Sequence, residues 1–368
     1  QPTSEVSIGL SSSDTTEGTV SPTTLNFTPA NWNQVQTVTV TGVDDPSVDG
    51  NVAYSIVTSA ATSGDSAYNG TNPSDVGVSN SDNDVAGVTV TQSAGGTALT
   101  EDGATDTYTL VLTSQPATNV TVVIAADAQL SAAPAPVVFT PATWDRPQMV
   151  TLTAVDDAVA EGSHIGSISH SVTSTDTDYN SLNVSGVTAT IADNDIAGFT
   201  VTPTSGLITT EAGGTADFTV RLTSQPTANV ILGVSSNDAS EGTAAPATLT
   251  FTSGNWNQTQ TVTVTGVDDA IDEGDIAYVI LTAAATSSDP NYAGLNPADV
   301  AVSNADDDSA GLIVLQTGGT AVTEGGTADT YDLLLASEPT ANVTVTLNAE
   351  AGIGVSPGSL VFSPSNWN

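Results

Sequence analysis

The sequence contains no cysteine and no lysine, and its only strong cations are Arg146 and Arg221. Without cysteine the chain has no disulfides and no thiolate metal sites. Without lysine it has neither a P-loop lysine nor a lysine that forms a Schiff base. Because 41 acidic residues face 2 basic ones, for a formal net charge of -39, no basic patch is available to neutralise phosphates. We therefore expect no nucleic-acid partner.

Long apolar runs are also missing from the sequence. No segment approaches the roughly 20 residues of a membrane-spanning helix, and no signal peptide opens the chain. We expect no membrane insertion in this segment and, because Gln1 is not a natural start, a mature or interior piece of something longer. Aromatic residues make up only 5%, so any core is built from Val, Ala, Ile and Leu. The 38% of hydrophobic residues, set in alternating Val/Thr runs, excludes a disordered chain.

The sequence repeats itself with a period of about 111 residues. One phrase occurs four times, each time with one of the four tryptophans: FTPANWN at 27–33, FTPATWD at 139–145, FTSGNWN at 251–257 and FSPSNWN at 362–368. We predict four domains, called repeats 1 to 4 below: 1–85 (start missing), 86–196 (complete), 197–309 (complete) and 310–368 (end missing). A chain that begins and ends inside equivalent domains is expected of a window from a long array.

Within each repeat the hydrophobic pattern has a period of two. In the segment 36–43, Val38 and Val40 point to one face and the intervening threonines point to the other. Clusters of Gly, Pro, Asn, Asp and Ser separate such runs, and no stretch has a convincing helical period with caps. About seven short strands per repeat predict an all-β fold of tandem immunoglobulin-like antiparallel β-sandwiches. The minimal linkers, as at 193–198, favour an extended array.

Acidic residues recur at equivalent places in the repeats, each after a predicted strand. They are Asp14, Asp44, Asp45, Asp49, Asp82 and Asp84 in repeat 1; Glu101, Asp127, Asp156, Asp157, Glu161, Asp193 and Asp195 in repeat 2; and Glu211, Asp238, Asp268, Asp269, Glu273, Asp306, Asp307 and Asp308 in repeat 3. Because alternate strand ends of a sandwich gather at one pole, these carboxylates should lie together and repel. Two unit charges about 5 Å apart cost roughly 3 kcal/mol at an effective dielectric of about 20.

A bound divalent cation is the expected counter-charge at such a pole, because the chain offers no lysine. Calcium accepts roughly six to eight oxygen ligands in flexible geometry, whereas zinc would require His or Cys, and the chain has only His164 and His170. We therefore predict Ca2+ as the bound cofactor. Two alternatives stay open: each Asp-Asp pair is simply a turn, or the acidity is an adaptation to salty surroundings.

These motifs resemble the Calx-β domain family, the calcium-binding sandwiches named from sodium–calcium exchangers and found in large bacterial extracellular and surface proteins. The resemblance rests on Thr-Glu-x-Gly near the start of a repeat, on Val-Asp-Asp-x-x-x-Glu-Gly at 155–162 and 267–274, and on a closing acidic triplet before Ala-Gly. It implies that calcium is bound by the first Glu, the Asp pair, the later Glu and the triplet. It also implies two backbone carbonyl ligands, those of Val159 and Ile271.

The chain departs from the family pattern in three ways. Asn83 and Asn194 replace the middle Asp of the triplet in repeats 1 and 2. In repeat 1, Asp49 stands where the pattern has Glu. The Asp-Tyr pair that is usual in the middle of the family's domains is missing, and its substitutes are Asp14, Asp127 and Asp238.

Aromatic residues and histidines are the remaining candidates for a functional role. The tryptophan row could stack carbohydrate, but packing over the sandwich edge is favoured. Tyr68, Tyr179 and Tyr292 each follow an Asp by three residues, and structural packing is again favoured. The two histidines occur in a single repeat and have no context that would orient a triad. We expect no enzymatic activity, because a repeated motif would have to be catalytic in every copy.

The leading hypothesis for function is a structural repeat segment of a calcium-rigidified extracellular filament, adhesin stalk or matrix fibre. Its partners would be copies of itself or neighbouring repeats. The alternatives are an adhesive binding module that recognises a cell-surface or matrix glycan or a partner cell, a surface-layer lattice protein, and an enzyme whose catalytic domain lies elsewhere. We expect an extracellular or cell-surface location, because such sites suit millimolar calcium.

Overall fold

The chain folds as an all-β protein with several antiparallel sheets, as the sequence predicts. The computed structural model describes residues 1–368, apart from the side chain of Ala94. In this described part, a 3-10 helix at Ser93–Gly95 is the only helical element, and no helix could cross a membrane. Internal contacts divide the chain into two compact units, Gln1–Asp156 with Ser163–Asp193 and Asp157–Gly162 with Asn194–Asn368. The repeat boundaries stay a prediction, and repeats 1 to 4 remain names for sequence ranges.

The strands are short and fall within the predicted repeats. Those of repeat 1 are β1 (Val6–Ser12), β2 (Gly18–Ser21), β3 (Thr24–Phe27), β4 (Thr39–Gly42), β5 (Val52–Thr58), β6 (Thr62–Ser63) and β7 (Val76–Asn80). Those of repeat 2 are β8 (Val88–Gln92), β9 (Thr97–Thr100), β10 (Thr105–Leu112), β11 (Val120–Ala126), β12 (Leu130–Ala133), β13 (Val137–Phe139), β14 (Gln148–Ala154), β15 (His164–Ser174) and β16 (Val187–Ala192).

The second unit continues the same succession of strands. Those of repeat 3 are β17 (Phe199–Thr202), β18 (Leu207–Thr210), β19 (Thr215–Leu222), β20 (Val230–Ser236), β21 (Gly242–Ala245), β22 (Thr248–Phe251), β23 (Gln260–Gly266), β24 (Ile276–Thr282) and β25 (Val300–Ala305). Those of repeat 4 are β26 (Leu312–Leu315), β27 (Asp332–Leu335), β28 (Val343–Thr346) and β29 (Ser359–Phe362).

Repeats 2 and 3 have the same two-sheet topology. In repeat 2 the sheets have the strand orders β12-β14-β10-β8 and β13-β11-β15-β16-β9. In repeat 3 they are β21-β23-β19-β17 and β22-β20-β24-β25-β18. All the strand pairs are antiparallel except β9 with β16 and β18 with β25, which are parallel. In each of these repeats, one strand pair therefore departs from the predicted antiparallel arrangement. This parallel pair places the ends of two strands side by side.

Each complete repeat encloses one hydrophobic core of aliphatic and aromatic side chains. Strand β23 shows how the period of two works, because Val262 and Val264 are buried while Thr263 and Thr265 are half-buried. Phe218 and Leu222 of β19 pack into the same core. Full burial of one such side chain stabilises the fold by about 1.5–3 kcal/mol. The sandwich therefore has its own apolar source of stability, separate from the acidic strand ends.

The recurring tyrosines pack inside the repeats, as the sequence analysis favours. The hydroxyl of Tyr292 accepts a hydrogen bond from the Ser224 N–H at 3.1 Å and donates to the Ser224 carbonyl at 2.7 Å. Tyr179 makes the same contacts with Ser114, at 3.1 and 2.6 Å. Tyr68 of repeat 1 is 37% exposed instead. Two of the three tyrosines thus fix the turn that begins with Ser114 or Ser224.

Removing the Tyr292 hydroxyl should destabilise the protein measurably. Tyr292→Phe leaves the buried polar groups of Ser224 without their partner, which costs about 1–3 kcal/mol. Tyr68→Phe is the matched control and should change stability by less than about 0.5 kcal/mol, because that ring is partly exposed. The measurement is urea unfolding followed by tryptophan fluorescence. Equal losses in the two variants would contradict the assigned role.

Candidate metal centres at the acidic poles

The acidic pole of repeat 3 is assembled by the parallel strand pair. Strand β18 ends beside the end of β25, with Thr210 opposite Ala305 in the register. The next residue, Glu211, continues this alignment because its N–H donates to the Ala305 carbonyl at 3.1 Å. The acidic triplet starts at Asp306, immediately after β25. Strand pairing therefore places the first Glu of the repeat next to its last acids, which lie far away in sequence.

Two sets of carboxylate oxygens in repeat 3 have the spacing of a cation site. Within each set, one oxygen per residue lies within 4.8 Å of the others, and the sets are Glu211 with Asp306 and Asp308, and Glu211 with Asp269 and Glu273. Calcium lies roughly 2.4 Å from each ligand oxygen, so two of its ligand oxygens are at most about 4.8 Å apart. The donor set of hard carboxylate oxygens thus fits calcium in both chemistry and spacing, with Glu211 common to the two sets.

Backbone hydrogen bonds hold the loops of this pole in place. Asp306 accepts from the Gly274 N–H at 2.6 Å and from the Asp308 N–H at 2.9 Å. Asp269 accepts from the Ile271 N–H at 2.8 Å, which closes a turn. The turn alternative and the ligand hypothesis are therefore compatible, because Asp269 shapes its loop and still belongs to an oxygen set. The Ile271 carbonyl stays a predicted ligand.

The charges at this pole are poorly compensated by the protein. Glu211 is only 3% exposed, and burial raises its pKa to about 7, with Asp306 and Asp269 adding to the shift. Burial also raises the pKa of Asp308, together with the neighbouring carboxylates. Only Asp306 is shifted down, because backbone N–H groups donate to it. A nearby cation would lower all of these raised pKa values.

Repeat 1 forms its own acidic pole around a buried glutamate. Oxygens of Glu17, Asp45 and Asp49 lie within 4.8 Å of one another. They line a cavity of about 230 Å³ that also includes Asp82 and Asp84. Burial raises the pKa of Asp84, with further contributions from the surrounding aspartates. Four of these five residues are predicted from the sequence, and Glu17 is the exception.

The predicted ligands of repeat 2 do not all belong to one compact unit. Asp157, Val159, Glu161 and Asp195 belong to the second unit, and the others belong to the first. Glu101 repeats the arrangement of Glu211, since it follows β9 and its N–H donates to the Ala192 carbonyl at 3.1 Å. His164 Nε2 lies 3.8 Å from Glu101 Oε1. In the second unit, Asp157 accepts from the Val159 N–H at 2.7 Å.

The three substitutes for the family's Asp-Tyr act as turn residues. Asp238 accepts from the Ser240 N–H at 3.1 Å, and Asp127 from the N–H groups of Gln129 at 3.0 Å and Ser167 at 2.6 Å. Asp14 makes the same kind of turn in repeat 1. Hydrogen bonds lower the pKa of Asp14, chiefly that from the Thr16 hydroxyl. None of the three belongs to an oxygen set among the described residues.

The missed residue Glu17 has a counterpart in repeat 3. Glu241 is equivalent to it, because both residues accept an N–H through their backbone carbonyl at 3.0 Å, from Val267 and Val43 respectively. A signal was present, since Asp-x-x-Glu-Gly occurs in repeats 1 and 3. Repeat 2 reads Asp-Ala-Gln-Leu at this point and is one residue shorter before the strand. The acids that are common to every repeat therefore do not include this glutamate.

Two of the four tryptophans pack against the core of their own repeat. Trp144 and Trp256 are partly buried against the cores of repeats 2 and 3. The carbonyl of Trp256 also accepts from the Leu222 N–H at 3.0 Å, which ties the loop to β19. Trp32 is 46% exposed. The packing role favoured from the sequence thus agrees with these contacts.

Comparison with known proteins gives structural similarity at a low level. No family model matches the chain, and no curated protein matches it. CBD12 from CALX1.2 is 16% identical over 55% of this chain and 82% of its own, with a TM-score of 0.26. The calcium binding domain CBD12 of CALX1.1 is 19% identical over 54% and 80%, with a TM-score of 0.26. Surface layer protein SbsC, domains 4-9, is 12% identical over 83% and 40%, with a TM-score of 0.24. Similarity of this extent carries no conclusion about function.

The raised pKa of Glu211 predicts a pH dependence of stability in the metal-free protein. The folded state binds this proton more tightly than the unfolded chain, whose ordinary value is 4.5. Stability contributed by the neutral form is therefore complete below about 4.5 and falls as the pH rises towards the folded value of about 7. Urea unfolding midpoints between pH 5 and pH 8 measure this slope.

A matched pair of variants isolates the contribution of Glu211. Glu211→Gln should flatten the slope, because the amide does not titrate. Asp217→Asn, an exposed strand residue, should leave it unchanged. A slope that is identical in wild type and Glu211→Gln would show that burial of Glu211 does not control stability in this pH range.

Proposed function

We propose that this chain is a structural repeat segment of an extracellular filament, adhesin stalk or matrix fibre, and that calcium at the acidic poles stiffens it. The single observation that carries the proposal is a recurring hydrogen bond. The loop after each Asp-Asp pair, which supplies cation ligands to one repeat, also bonds to the following repeat. Calcium binding and the joint between repeats thus use the same short segment.

The recurring bond has the same geometry at all three junctions. The Pro46 carbonyl accepts from the Gln115 N–H at 2.7 Å within the first unit. Within the second unit the Ala158 carbonyl accepts from the Gln225 N–H at 2.6 Å. Also within the second unit, the Ala270 carbonyl accepts from the Glu338 N–H at 2.6 Å. Each acceptor is the residue directly after its Asp-Asp pair.

The receiving turn is held rigidly by its own repeat. In repeat 3 the turn is Ser224-Gln225-Pro226-Thr227, and Tyr292 fixes its first residue through the hydroxyl contacts described above. The carboxylate of Asp289 accepts from the Thr227 N–H at 2.8 Å at the other end of the turn. The Gln225 N–H is therefore presented in a fixed direction, as a firm partner for the acidic loop.

Further contacts reinforce the joints in the second unit. The Asn291 side-chain amide donates to the Ala160 carbonyl at 2.6 Å. The Ala310 N–H, at the start of repeat 4, donates to the Asp272 carboxylate at 2.6 Å. Both acceptors lie in the loops that follow the Asp-Asp pairs of repeats 2 and 3. Each of these two loops thus makes two hydrogen bonds to the next repeat.

The cation is expected to act on this loop through charge. Without it, the carboxylates of a pole repel, and the loops gain freedom by spreading apart. A bound divalent ion offsets the repulsion and holds the loop in one conformation. Because the ion already orders the loop, contact with the next repeat costs less conformational entropy. Sites of this kind suit millimolar calcium and therefore an extracellular setting.

Calcium should raise the thermal stability of the full chain. A ligand that binds only the folded state at a hundredfold excess over its dissociation constant stabilises it by about 2.7 kcal/mol. Calorimetry in millimolar calcium and in chelator measures the difference. The double variant Asp268→Asn with Asp269→Asn should lose part of the rise, while Asp217→Asn should keep it. A melting temperature that is the same in calcium and in chelator would refute the proposed mechanism.

The joint itself should respond to calcium at single residues. The N–H groups of Gln115, Gln225 and Glu338 bond across junctions, so calcium should slow their hydrogen exchange. The Ala117 N–H, two residues beyond Gln115, bonds at 2.7 Å to Asp176 of its own repeat and serves as the control. Residue-resolved NMR exchange measures both classes. Equal responses at Gln115 and Ala117 would show that calcium acts on the whole domain and not on the joint.

A further inference from the structure

The two sheets of repeat 2 are joined by a polar contact between two ring side chains. Tyr108 lies on β10 in one sheet, and His170 lies on β15 in the other. The Tyr108 hydroxyl is 2.9 Å from His170 Nε2, and the rings meet edge to face with their centroids 5.5 Å apart. Tyr108 is 1% exposed, and His170 is half-buried. A hydrogen bond therefore crosses the sandwich at this point.

The second ring nitrogen of His170 fixes the direction of this bond. His170 Nδ1 lies 2.8 Å from the Ser185 carbonyl oxygen, which can only accept. Nδ1 therefore carries the hydrogen of the neutral ring, and Nε2 is left as an acceptor. Burial raises the pKa of Tyr108 to about 12, so its hydroxyl keeps its hydrogen at neutral pH and donates to Nε2. The neutral histidine thus uses both of its nitrogens within the fold.

The position of Tyr108 is occupied by phenylalanine in repeat 3. Phe218 stands opposite Val262 of β23, just as Tyr108 stands opposite Val150 of β14. Phe218 is also 1% exposed, but it has no hydroxyl. The core is thus filled equally well without the polar contact, so packing alone does not account for the tyrosine.

The histidine takes the place of a threonine in the other repeats. By strand register, the equivalents of His170 are Thr58 in repeat 1 and Thr282 in repeat 3. Each threonine hydroxyl donates at 3.2 Å to a loop carbonyl, that of Pro73 or Pro297. His170 keeps a bond of this kind through Nδ1 and adds the bond across the sandwich. Repeat 2 therefore combines two substitutions that meet at one hydrogen bond.

The groups that face His170 are uncharged in the part of the chain that the structure describes. Tyr108 is the titratable group that reaches it from β10, Ile124 stands opposite it on β11, and the Ser185 carbonyl approaches from the loop before β16. Strand β16 carries no titratable residue. Burial lowers the pKa of His170, and only the bond to Ser185 acts in the opposite direction.

The acids on the neighbouring strands bond to other groups. Asp106 of β10 accepts from the Ser93 hydroxyl, and Asp127, which follows β11, accepts from the Ser167 N–H at 2.6 Å. The other histidine, His164, lies at the start of β15. A proton gained by His170 would therefore place a positive charge in a half-buried position without a carboxylate to balance it.

We propose that the Tyr108–His170 pair is a pH-sensitive clasp between the two sheets of repeat 2, closed while His170 is neutral and loosened when His170 gains a proton. The added proton must go to Nε2, the atom that accepts the Tyr108 hydroxyl. Two hydrogens then point at one another, so the tyrosine has to turn its hydrogen to another acceptor inside the core. The inference goes beyond the proposed function and does not depend on calcium.

Acid should therefore weaken repeat 2. In the unfolded chain His170 has its ordinary pKa of 6.5, and the folded value lies below it. The stability contributed by neutral His170 is complete above about pH 6.5 and is lost as the pH falls through the folded pKa. Glu211 acts in the opposite direction on repeat 3 of the metal-free protein, because its pKa is raised. Acidification should thus loosen repeat 2 relative to repeat 3.

NMR titration of the full chain in chelator tests the hydrogen bond. The ring signals of His170 give its pKa, which should lie below 6.5 in wild type. The pKa should rise in Tyr108→Phe, because the donated hydrogen bond favours the neutral ring. This variant carries the residue that repeat 3 has at the same place, Phe218, so the fold accommodates it. A wild-type pKa of 6.5 or higher, or the same pKa in wild type and Tyr108→Phe, overturns the inference.

Hydrogen exchange on the same sample shows whether the sheets loosen. The Leu112 N–H bonds to the Trp144 carbonyl at 3.2 Å, and the Leu222 N–H bonds to the Trp256 carbonyl at 3.0 Å, so these amides of repeats 2 and 3 are matched. From about pH 7.5 to about pH 5.5, the protection of Leu112 should fall relative to Leu222, by up to about tenfold per pH unit below about 6.5.

Two variants assign this loss of protection to the clasp. His170→Thr installs the residue of repeats 1 and 3 and should abolish the loss, whereas His164→Ile is the control and should keep it. A loss of equal size in wild type and His170→Thr would overturn the inference, because other groups of repeat 2 would then cause it. If His170→Thr does not fold, the NMR titration of wild type and Tyr108→Phe decides the question alone.

Discussion

Repulsion between carboxylates at the strand ends is the constraint on which the rest of this structure depends. The fold brings Glu211 beside Asp306 because β18 runs parallel to β25 and ends with it. It adds the Asp-Asp loop from β23 at the same end of the sandwich. With no lysine and two arginines in the chain, the protein does not neutralise this charge itself. The raised pKa of Glu211 records the imbalance, and the proposed divalent cation would offset it.

The apolar core and the acidic pole are formed by different residues of the same strand and loop. Val262 and Val264 of β23 are buried in an apolar core that does not involve the acids. Two residues after the end of that strand, the chain reaches Asp268 and Asp269, and then Ala270, which bonds to the next repeat. Core residues, acidic pair and inter-repeat hydrogen bond thus follow one another along a single strand and loop. The hydrogen bond to the next repeat therefore lies one residue from the Asp pair.

The sequence predicts the sandwich well because its signal is local. Alternating Val and Thr set the inner and outer faces of strands such as β23. It does not predict the parallel pairing of β18, because a strand of four residues, Leu207–Thr210, carries little pattern and its partner is remote. The acids of the pole are predicted by repetition. Asp127 and Asp238 are turn residues because hydroxyl and N–H donors lie two residues away or across the strand, a distinction that spacing alone does not make.

Glu17 and Glu241 are not predicted from the sequence, because repeat 2 lacks the glutamate that repeats 1 and 3 have at this position. Each of these glutamates accepts a hydrogen bond from an asparagine, and the glycine after it leaves room for a tyrosine hydroxyl, whereas repeat 2 lacks both the glutamate and the glycine. The poles therefore differ in the amount of negative charge that they bury. Among the described pole residues, repeat 3 buries two carboxylates, Glu211 and Glu241, whereas repeat 2 buries only Glu101 and repeat 1 only Glu17, so the pole of repeat 3 concentrates the most charge in its interior.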